Sequence, residues 1–161
     1  MDYEQKTILD CFEYGITEIR SAFQEVPAGI LDKAPAPGKW SIRQIMVHVA
    51  DTEIVAAMRI RQIAAEPGAL LIGYDQDKWA NAMSYSGQSA ELALEIFVIL
   101  RQSTTAMLRL LLVPTWANVG NHEERGLTSL GAFVGHMANH AELHAAQIRK
   151  IREQFGHPVQ G

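Results

Sequence analysis

The sequence predicts an all-α fold: a four-helix bundle with a long crossover between helices 2 and 3. Apolar residues recur with the helical period over four segments of about 20 to 27 residues. Strand signals are nearly absent. The connection between the second and third helices, 67–87, is long enough to cross the whole bundle, so these two helices can run parallel.

The first helix is predicted from Asp2 to Gln24, ending before Pro27. Its apolar stripe comprises Ile8, Cys11, Phe12, Gly15, Ile16, Ile19 and Phe23. Cys11 is the single cysteine, so a disulfide within the chain is impossible. Its neighbours favour a small buried residue, with a reactive thiol as the alternative.

The second helix is predicted to begin at Ser41, a good N-cap residue, and to end at Glu66-Pro67-Gly68. Its inner face comprises Ile42, Ile45, Val49, Thr52, Ala56 and Ile63. The preceding segment, 33–39, contains two prolines and a glycine and therefore cannot be helical. Within the long crossover, a short helical turn is expected from Asp77 to Met83.

The third helix is predicted from Ser89 to Leu112, closed by Pro114. The fourth begins near Thr128 or Ser129, and Gly156 and Pro158 are expected beyond its end. The inward faces of these helices comprise Ala93, Ile96, Phe97, Leu100, Met107, Leu108 and Leu111 in the third, and Leu130, Phe133, Val134, Met137, Ala141, Ile148 and Ile151 in the fourth.

Length and composition narrow the class of protein. The 161 residues suit one compact domain, 1–161, and the 48 % of hydrophobic residues indicates a globular chain. A net charge of −4 without a basic cluster argues against binding to nucleic acid or to a lipid surface. The polar N-terminus and the lack of a long apolar run predict a cytoplasmic protein without a membrane span.

Three histidines are the candidate functional residues. His140 and His144 lie four residues apart on the fourth helix, about 40° apart around its axis and about 6 Å along it, so they project side by side. His48 lies at the border of the second helix's apolar stripe and can reach toward a facing helix. Three neutral imidazoles can bind a transition metal and leave a coordination position open for water or substrate.

Spacing alone leaves alternatives open. A pair of histidines four residues apart also arises by chance, and His136 extends the series, so that His136 with His140 is a second possible pair. A carboxylate-bridged two-metal bundle is disfavoured because it needs Glu-x-x-His motifs, and the sequence contains none. A mononuclear, nitrogen-rich site therefore matches the sequence better.

Two segments resemble the signatures of the DinB/YfiT-like family of proposed metalloenzymes. In the first, residues 40–51, Trp40 and Ser41 open a helix and His48 and Asp51 follow on later turns. In the second, residues 139–148, His-x3-His is followed by Gln147. Residues 74–80 and 116–126 are similar to weaker family features, so the resemblance covers most of the chain.

The resemblance implies a bundle with a crossover between helices 2 and 3. It also implies one divalent transition metal per chain, zinc or nickel, held by His48, His140 and His144. Members of the family often form homodimers, so a homodimer is expected. Some members transfer low-molecular-weight thiols and others are suspected hydrolases, and the family's name does not imply DNA binding. The expected partners are a small-molecule substrate and possible thiol cosubstrate.

The function hypothesis is a metal-dependent transferase or hydrolase acting on a small molecule. The alternatives are a metal-containing binding or sensor protein without turnover, and a bundle whose histidines are only structural. Asp51 could orient His48 or accept a proton from metal-bound water, or it is a solvated helix residue. His136 is interpreted as a polar contact or a neighbour of the site, His122 as a loop residue or part of the pocket mouth, and His157 as exposed near a frayed end. Four aromatic residues either wall the substrate pocket or serve packing: Tyr74, Trp79, Tyr85 and Trp116.

Overall fold

The computed structural model describes residues 1–24 and 26–156, and in them a helical bundle with a small sheet. His157 and Pro158 lie outside the described residues. The helices are α1 (Tyr3–Gln24), α2 (Ile42–Ala65), α3 (Gln76–Ala82), α4 (Ala90–Leu108) and α5 (Leu130–Gly156). The strands are β1 (Leu70–Leu71), β2 (Val119–His122) and β3 (Gly126–Ser129). The all-α class and the four-helix bundle are confirmed.

The start of α2 fixes the position of the helix that carries His48. Ser41 is its N-cap, and its side-chain oxygen accepts a hydrogen bond from the Gln44 backbone N–H. The Gln44 side chain in turn accepts one from the Ser41 backbone N–H at 2.9 Å. This capping box satisfies two backbone donors that the helix itself cannot pair, and it confirms the predicted start.

Helices α2 and α4 run parallel. Near their beginnings, Arg43 on α2 donates to the Gln88 carbonyl just before α4 at 2.9 Å. Near their ends, Arg61 on α2 lies 3.4 Å from the Thr104 hydroxyl on α4. Because the contacts advance in the same direction along both helices, the connection between them must cross the bundle, as its length predicts.

A fully buried ion pair joins all four long helices. The Arg101 guanidinium of α4 donates to both carboxylate oxygens of Glu53 on α2, at 2.8 and 2.6 Å. It also donates to the Phe12 carbonyl of α1 at 2.9 Å and lies 3.4 Å from the Met137 carbonyl of α5. Arg101 and Glu53 are 0 % and 1 % exposed, so water cannot solvate their charges, and the ion pair, the backbone carbonyls and the rings of Phe12 and Phe97 take its place.

The end of the third predicted helix and the absence of strands are corrected. Helix α4 ends at Leu108, short of Leu112, and a separate 3-10 helix follows at Val113–Ala117 with Pro114 in its first turn; Leu112 before it is extended. β1 pairs parallel with β2, and β2 pairs antiparallel with β3. The β2–β3 turn ends at Gly126, whose φ of 70° suits glycine. Strands of two to four residues are too short to show alternation in the sequence.

Two further expectations are wrong. Cys11 is exposed and borders a groove between α1 and α5, because the buried positions of α1 lie instead on the stripe through Leu9, Phe12, Ile16 and Ile19. Gly156 belongs to α5 and does not lie beyond it, since glycine is tolerated in a last helical turn.

Across the described residues, no helix combines the length and the apolar character that spanning a bilayer requires.

Candidate metal centre

The structure brings His48, His140 and His144 together. The His48 Nε2 lies 3.3 Å from the His140 Nε2, and the His144 Nε2 lies 3.1 Å from the His140 Nε2. Taking one ring nitrogen from each residue, all three atoms lie within 4.8 Å of one another. Helix α2 supplies the first imidazole and α5 the other two, and the packing of these helices makes the three rings converge.

These separations fit a single transition-metal ion. Two imidazole nitrogens bound at about 2.0–2.1 Å to a tetrahedral ion lie about 3.3 Å apart, which matches the 3.1 and 3.3 Å observed. Three nitrogen ligands are one fewer than a closed tetrahedral site needs, and open positions are typical of catalytic zinc centres.

The hydrogen bonds and the burial of the three rings favour the neutral imidazole, which is the protonation state that binds a metal. The His144 Nδ1 lies 3.0 Å from the Gln147 side-chain oxygen, which can only accept, so Nδ1 carries the proton and the Nε2 lone pair faces the cluster. Burial, and secondarily the neighbouring His144, lower the pKa of His48 to about 3 and of His140 to about 2. Burial also lowers the pKa of His144. Near pH 7 all three rings are therefore neutral, as metal binding requires.

A hydroxyl pair lies beside His48. The Thr52 Oγ1, one helical turn after His48, is 3.5 Å from both ring nitrogens of His48, at the outer limit of a hydrogen bond. The same oxygen lies 2.7 Å from the Tyr74 hydroxyl. Burial raises the pKa of Tyr74 and the Thr52 hydrogen bond opposes the shift, so the phenol remains protonated near pH 7. The Trp40 ring also packs against the His48 ring, with centroids 4.9 Å apart.

Asp51 has a different neighbour from the one expected. Its Oδ2 accepts a hydrogen bond from the Tyr85 hydroxyl at 2.5 Å. Burial and this bond raise the pKa of Tyr85. Asp51 borders a separate, smaller pocket together with Val47 and Gln88. Among the described residues, Asp51 makes no hydrogen bond with His48 and does not line the cavity next to the histidines.

That cavity has a volume of about 460 Å³, within the range of small-molecule sites. His48 and His140 line it at one end. Its wall also includes Thr52, Tyr74, Phe133, Met137 and His136, and its far end includes Arg59, His122, Glu124 and Arg125. The His136 ring lies beside the cluster, with its centroid 6.5 Å from that of His140.

Of the four aromatic residues expected at the pocket, Tyr74 lines the cavity. The Trp79 ring packs on the Tyr74 ring, with centroids 4.4 Å apart. Tyr85 is fully buried against Asp51 and Trp40, and Trp116 is buried in the core. Of the two alternatives for His122, the loop is wrong, because His122 ends β2 and is 5 % exposed. The alternative, a position at the pocket, agrees with its place in the cavity wall.

Sequence reasoning missed Thr52 and Arg59 as cavity residues. Thr52 falls on the predicted core face of its helix, and a lone arginine late in a helix gives no signal of burial. The one available signal was helical spacing, since positions 48, 52, 56 and 59 fall on one face of α2.

The fold and the three-histidine site define the class of protein. A model of the DinB superfamily matches residues 12–148, so the chain belongs to that superfamily, as the two histidine motifs had suggested. A protein of Oceanobacillus iheyensis named "Putative metal-dependent hydrolase" is 28 % identical over 121 residues, covering 75 % of this chain and 70 % of the relative. A Bacillus mycoides protein with the same description is 27 % identical over 138 residues, covering 86 % and 79 %.

Among solved structures, the chain is similar to YfiT from Bacillus subtilis, described as a probable metal-dependent hydrolase with an unusual four-helix bundle topology. The TM-score is 0.89 at 20 % identity, covering 98 % of this chain and 91 % of YfiT. This likeness confirms the fold, including the arrangement of the helices.

Proposed function

We propose that this protein is a metal-dependent enzyme that transforms a small molecule at the centre formed by His48, His140 and His144. The observation that carries the proposal is the convergence of three neutral imidazoles, with spacings of 3.1 and 3.3 Å, at the end of a cavity large enough for a substrate. The names of its relatives support hydrolysis. The family resemblance supports transfer of a low-molecular-weight thiol as the alternative reaction.

The three histidines would hold one divalent ion, zinc or nickel. Bound there, such an ion acts as a Lewis acid that activates water or a thiol as the nucleophile. This role requires the rings to be neutral, and their burial keeps them so. The hydrogen bond from His144 to Gln147 holds the ring in the tautomer whose Nε2 is free to bind.

The chain's own hydroxyl groups would handle the proton and orient the substrate. Tyr74 stays protonated and lines the cavity, so its phenol can donate a hydrogen bond to a substrate oxygen. Thr52 lies between Tyr74 and His48 and can accept the Tyr74 proton in a hydrogen bond while donating its own. Phe133 and Met137 form an apolar part of the wall that limits the water around a bound substrate.

Metal analysis of protein purified without a metal column tests the proposal. Wild-type protein should hold one equivalent of a divalent metal per chain, and His140→Ala should hold less than about 0.2 equivalents because one of only three ligands is lost. His136→Ala is the matched control: its ring lines the same cavity outside the cluster and should leave the metal content unchanged.

Turnover assays then separate the reactions. Metal-loaded protein should convert substrates in a panel of activated esters, amides and thiol-plus-electrophile pairs, and chelation or His140→Ala should abolish that turnover. Absence of metal in the wild type, even after metal addition, would reject the proposal. Full occupancy with no turnover across the panel would favour a binding or sensor protein.

A further inference from the structure

Arg59 is a buried cation in the wall of the cavity, at the end opposite His48 and His140. It is 8 % exposed. It follows His48 on α2 by eleven residues, which is three turns plus about 20°, so both side chains leave the same face of the helix. The axial separation is about 16 Å, and Thr52 and Ala56 line the cavity between them.

The guanidinium of Arg59 lacks the counter-ion that a buried arginine normally has. Its Nη2 donates to the Ile72 carbonyl, and its Nε is buried without a hydrogen-bond partner among the described residues. None of the ion pairs among the described residues includes Arg59. Arg101, the other deeply buried arginine, has both its carboxylate partner and backbone acceptors. A buried charge is retained at a cost unless something pairs with it.

The surroundings of Arg59 offer a second donor. The His122 Nδ1 accepts a hydrogen bond from the Glu124 backbone N–H at 3.2 Å, so in the neutral ring Nε2 carries the proton and can donate. Burial, and secondarily the positive charge of Arg59, lower the pKa of His122 and favour that neutral ring. His122 is 5 % exposed and lines the cavity together with Arg59.

The nearby acidic residues are already placed elsewhere. The Glu123 carboxylate accepts a hydrogen bond from the Gly73 backbone N–H at 2.7 Å. Glu124 is exposed, and its carboxylate lies against Gly73, where an added Cβ would be 3.2 Å from its Oε1. Both carboxylates act electrostatically on Arg59 without an ion pair. Of these two carboxylates, Glu124 has the larger electrostatic effect on Arg59 and lines the cavity, so it is the internal group to test as a competitor of a ligand.

We propose that Arg59, assisted by His122, binds a carboxylate of the substrate, whose reacting group then lies at the three-histidine centre. This inference rests on the proposed function for the location of the reacting group, but the carboxylate subsite itself can be tested without turnover. The substrate class is a small molecule with a carboxylate at one end and the reactive bond several atoms away. A planar carboxylate suits the fork of donors that a guanidinium presents.

The subsite is tested by calorimetric titration with glutarate, a flexible dicarboxylate, and with its neutral diamide, in both metal-loaded and metal-free protein. Glutarate should bind in both forms and the diamide much more weakly. Arg59→Gln should weaken glutarate binding about 10- to 100-fold, the equivalent of one charge-assisted hydrogen-bonded contact. Arg125→Gln removes an exposed arginine of the same cavity and should change the affinity less than about twofold.

Several results would overturn the inference. They are failure of glutarate to bind, equal affinity in wild type and Arg59→Gln, or tighter binding of inorganic phosphate than of glutarate. If Arg59→Gln does not fold, Arg59→Lys keeps the charge and loses the fork, and undiminished glutarate affinity in that variant would count against a carboxylate fork. If glutarate binds only after Glu124→Gln, then Glu124 is the natural partner and the inference is wrong. Metal content is measured throughout, so loss of the metal centre is distinguished from loss of the carboxylate subsite.

Discussion

Acid should destabilise the metal-free protein through its buried histidines. The pKa of His48 is lowered to about 3 and that of His140 to about 2, chiefly by burial, whereas a histidine in an unfolded chain titrates near 6.5. Because the folded pKa is depressed, the unfolded state binds the protons first. Stability from these groups is therefore complete above pH 6.5 and is lost as the pH falls from there toward the folded values.

The size of the effect follows from that linkage. Between pH 7 and pH 5 a histidine that stays neutral in the folded state costs about 2 kcal/mol, which is the free energy of protonating its unfolded counterpart. This loss of about 2 kcal/mol requires only that the pKa of the histidine in the folded state lie well below 5. It does not depend on how far below 5 that pKa lies. His48 is 2 % exposed, and solvent screening of this group is therefore small.

Urea denaturation in the presence of a chelator, at pH 7 and at pH 5, measures the effect. The free energy of unfolding should fall by about 2 kcal/mol more in the wild type than in His48→Gln over this range. Comparing the two pH changes removes the packing cost of the substitution and the contribution of carboxylates common to both proteins. Equal pH changes in the two proteins would refute the idea that His48 is buried and neutral.

The remaining predictions concern the buried ion pair and the orientation of a metal ligand. Arg101→Met should lower the free energy of unfolding in urea by about 3–5 kcal/mol because it leaves Glu53 buried and unpaired. Adding Glu53→Met should recover part of that loss. A further loss of stability in the double variant would contradict this reasoning. Gln147→Leu should weaken metal binding about 10- to 100-fold in competition with a chromophoric chelator, since it removes the acceptor for the His144 Nδ1 proton. Unchanged affinity in Gln147→Leu would mean that this hydrogen bond does not set the tautomer.

The long helices and their path could be predicted because the apolar pattern is local and repeated. The helix around His48 is marked by its capping box at Ser41 as well as by its apolar period. The length of the crossover between α2 and α4 allowed a parallel course, since a short loop would have forced an antiparallel pair. The meeting of His48 with His140 and His144 then depends on the packing of just two helices.

Other features could not be predicted because they depend on distant partners. Nothing local to Arg101 or Glu53 indicates that they meet, and an isolated charge in a helix usually faces water. Arg59 is hidden from sequence reasoning for the same reason. Cys11 differs from expectation for another reason: it lies at the edge of the apolar stripe of α1, and the buried face of that helix is narrower than the stripe.

The choice between Asp51 and Thr52 as the neighbour of His48 is decided by helix geometry. Asp51 follows His48 by three residues, about 60° short of a full turn, and Thr52 by four, about 40° beyond one, so the two side chains diverge by about 100°. The face that continues from Thr52 through Ala56 to Arg59 borders the cavity, while the face that holds Asp51 meets Tyr85. Sequence spacing admits either residue, because both are one turn away. The position of the packing partner, Tyr85 on one side and the cavity on the other, places a hydroxyl instead of a carboxylate next to His48.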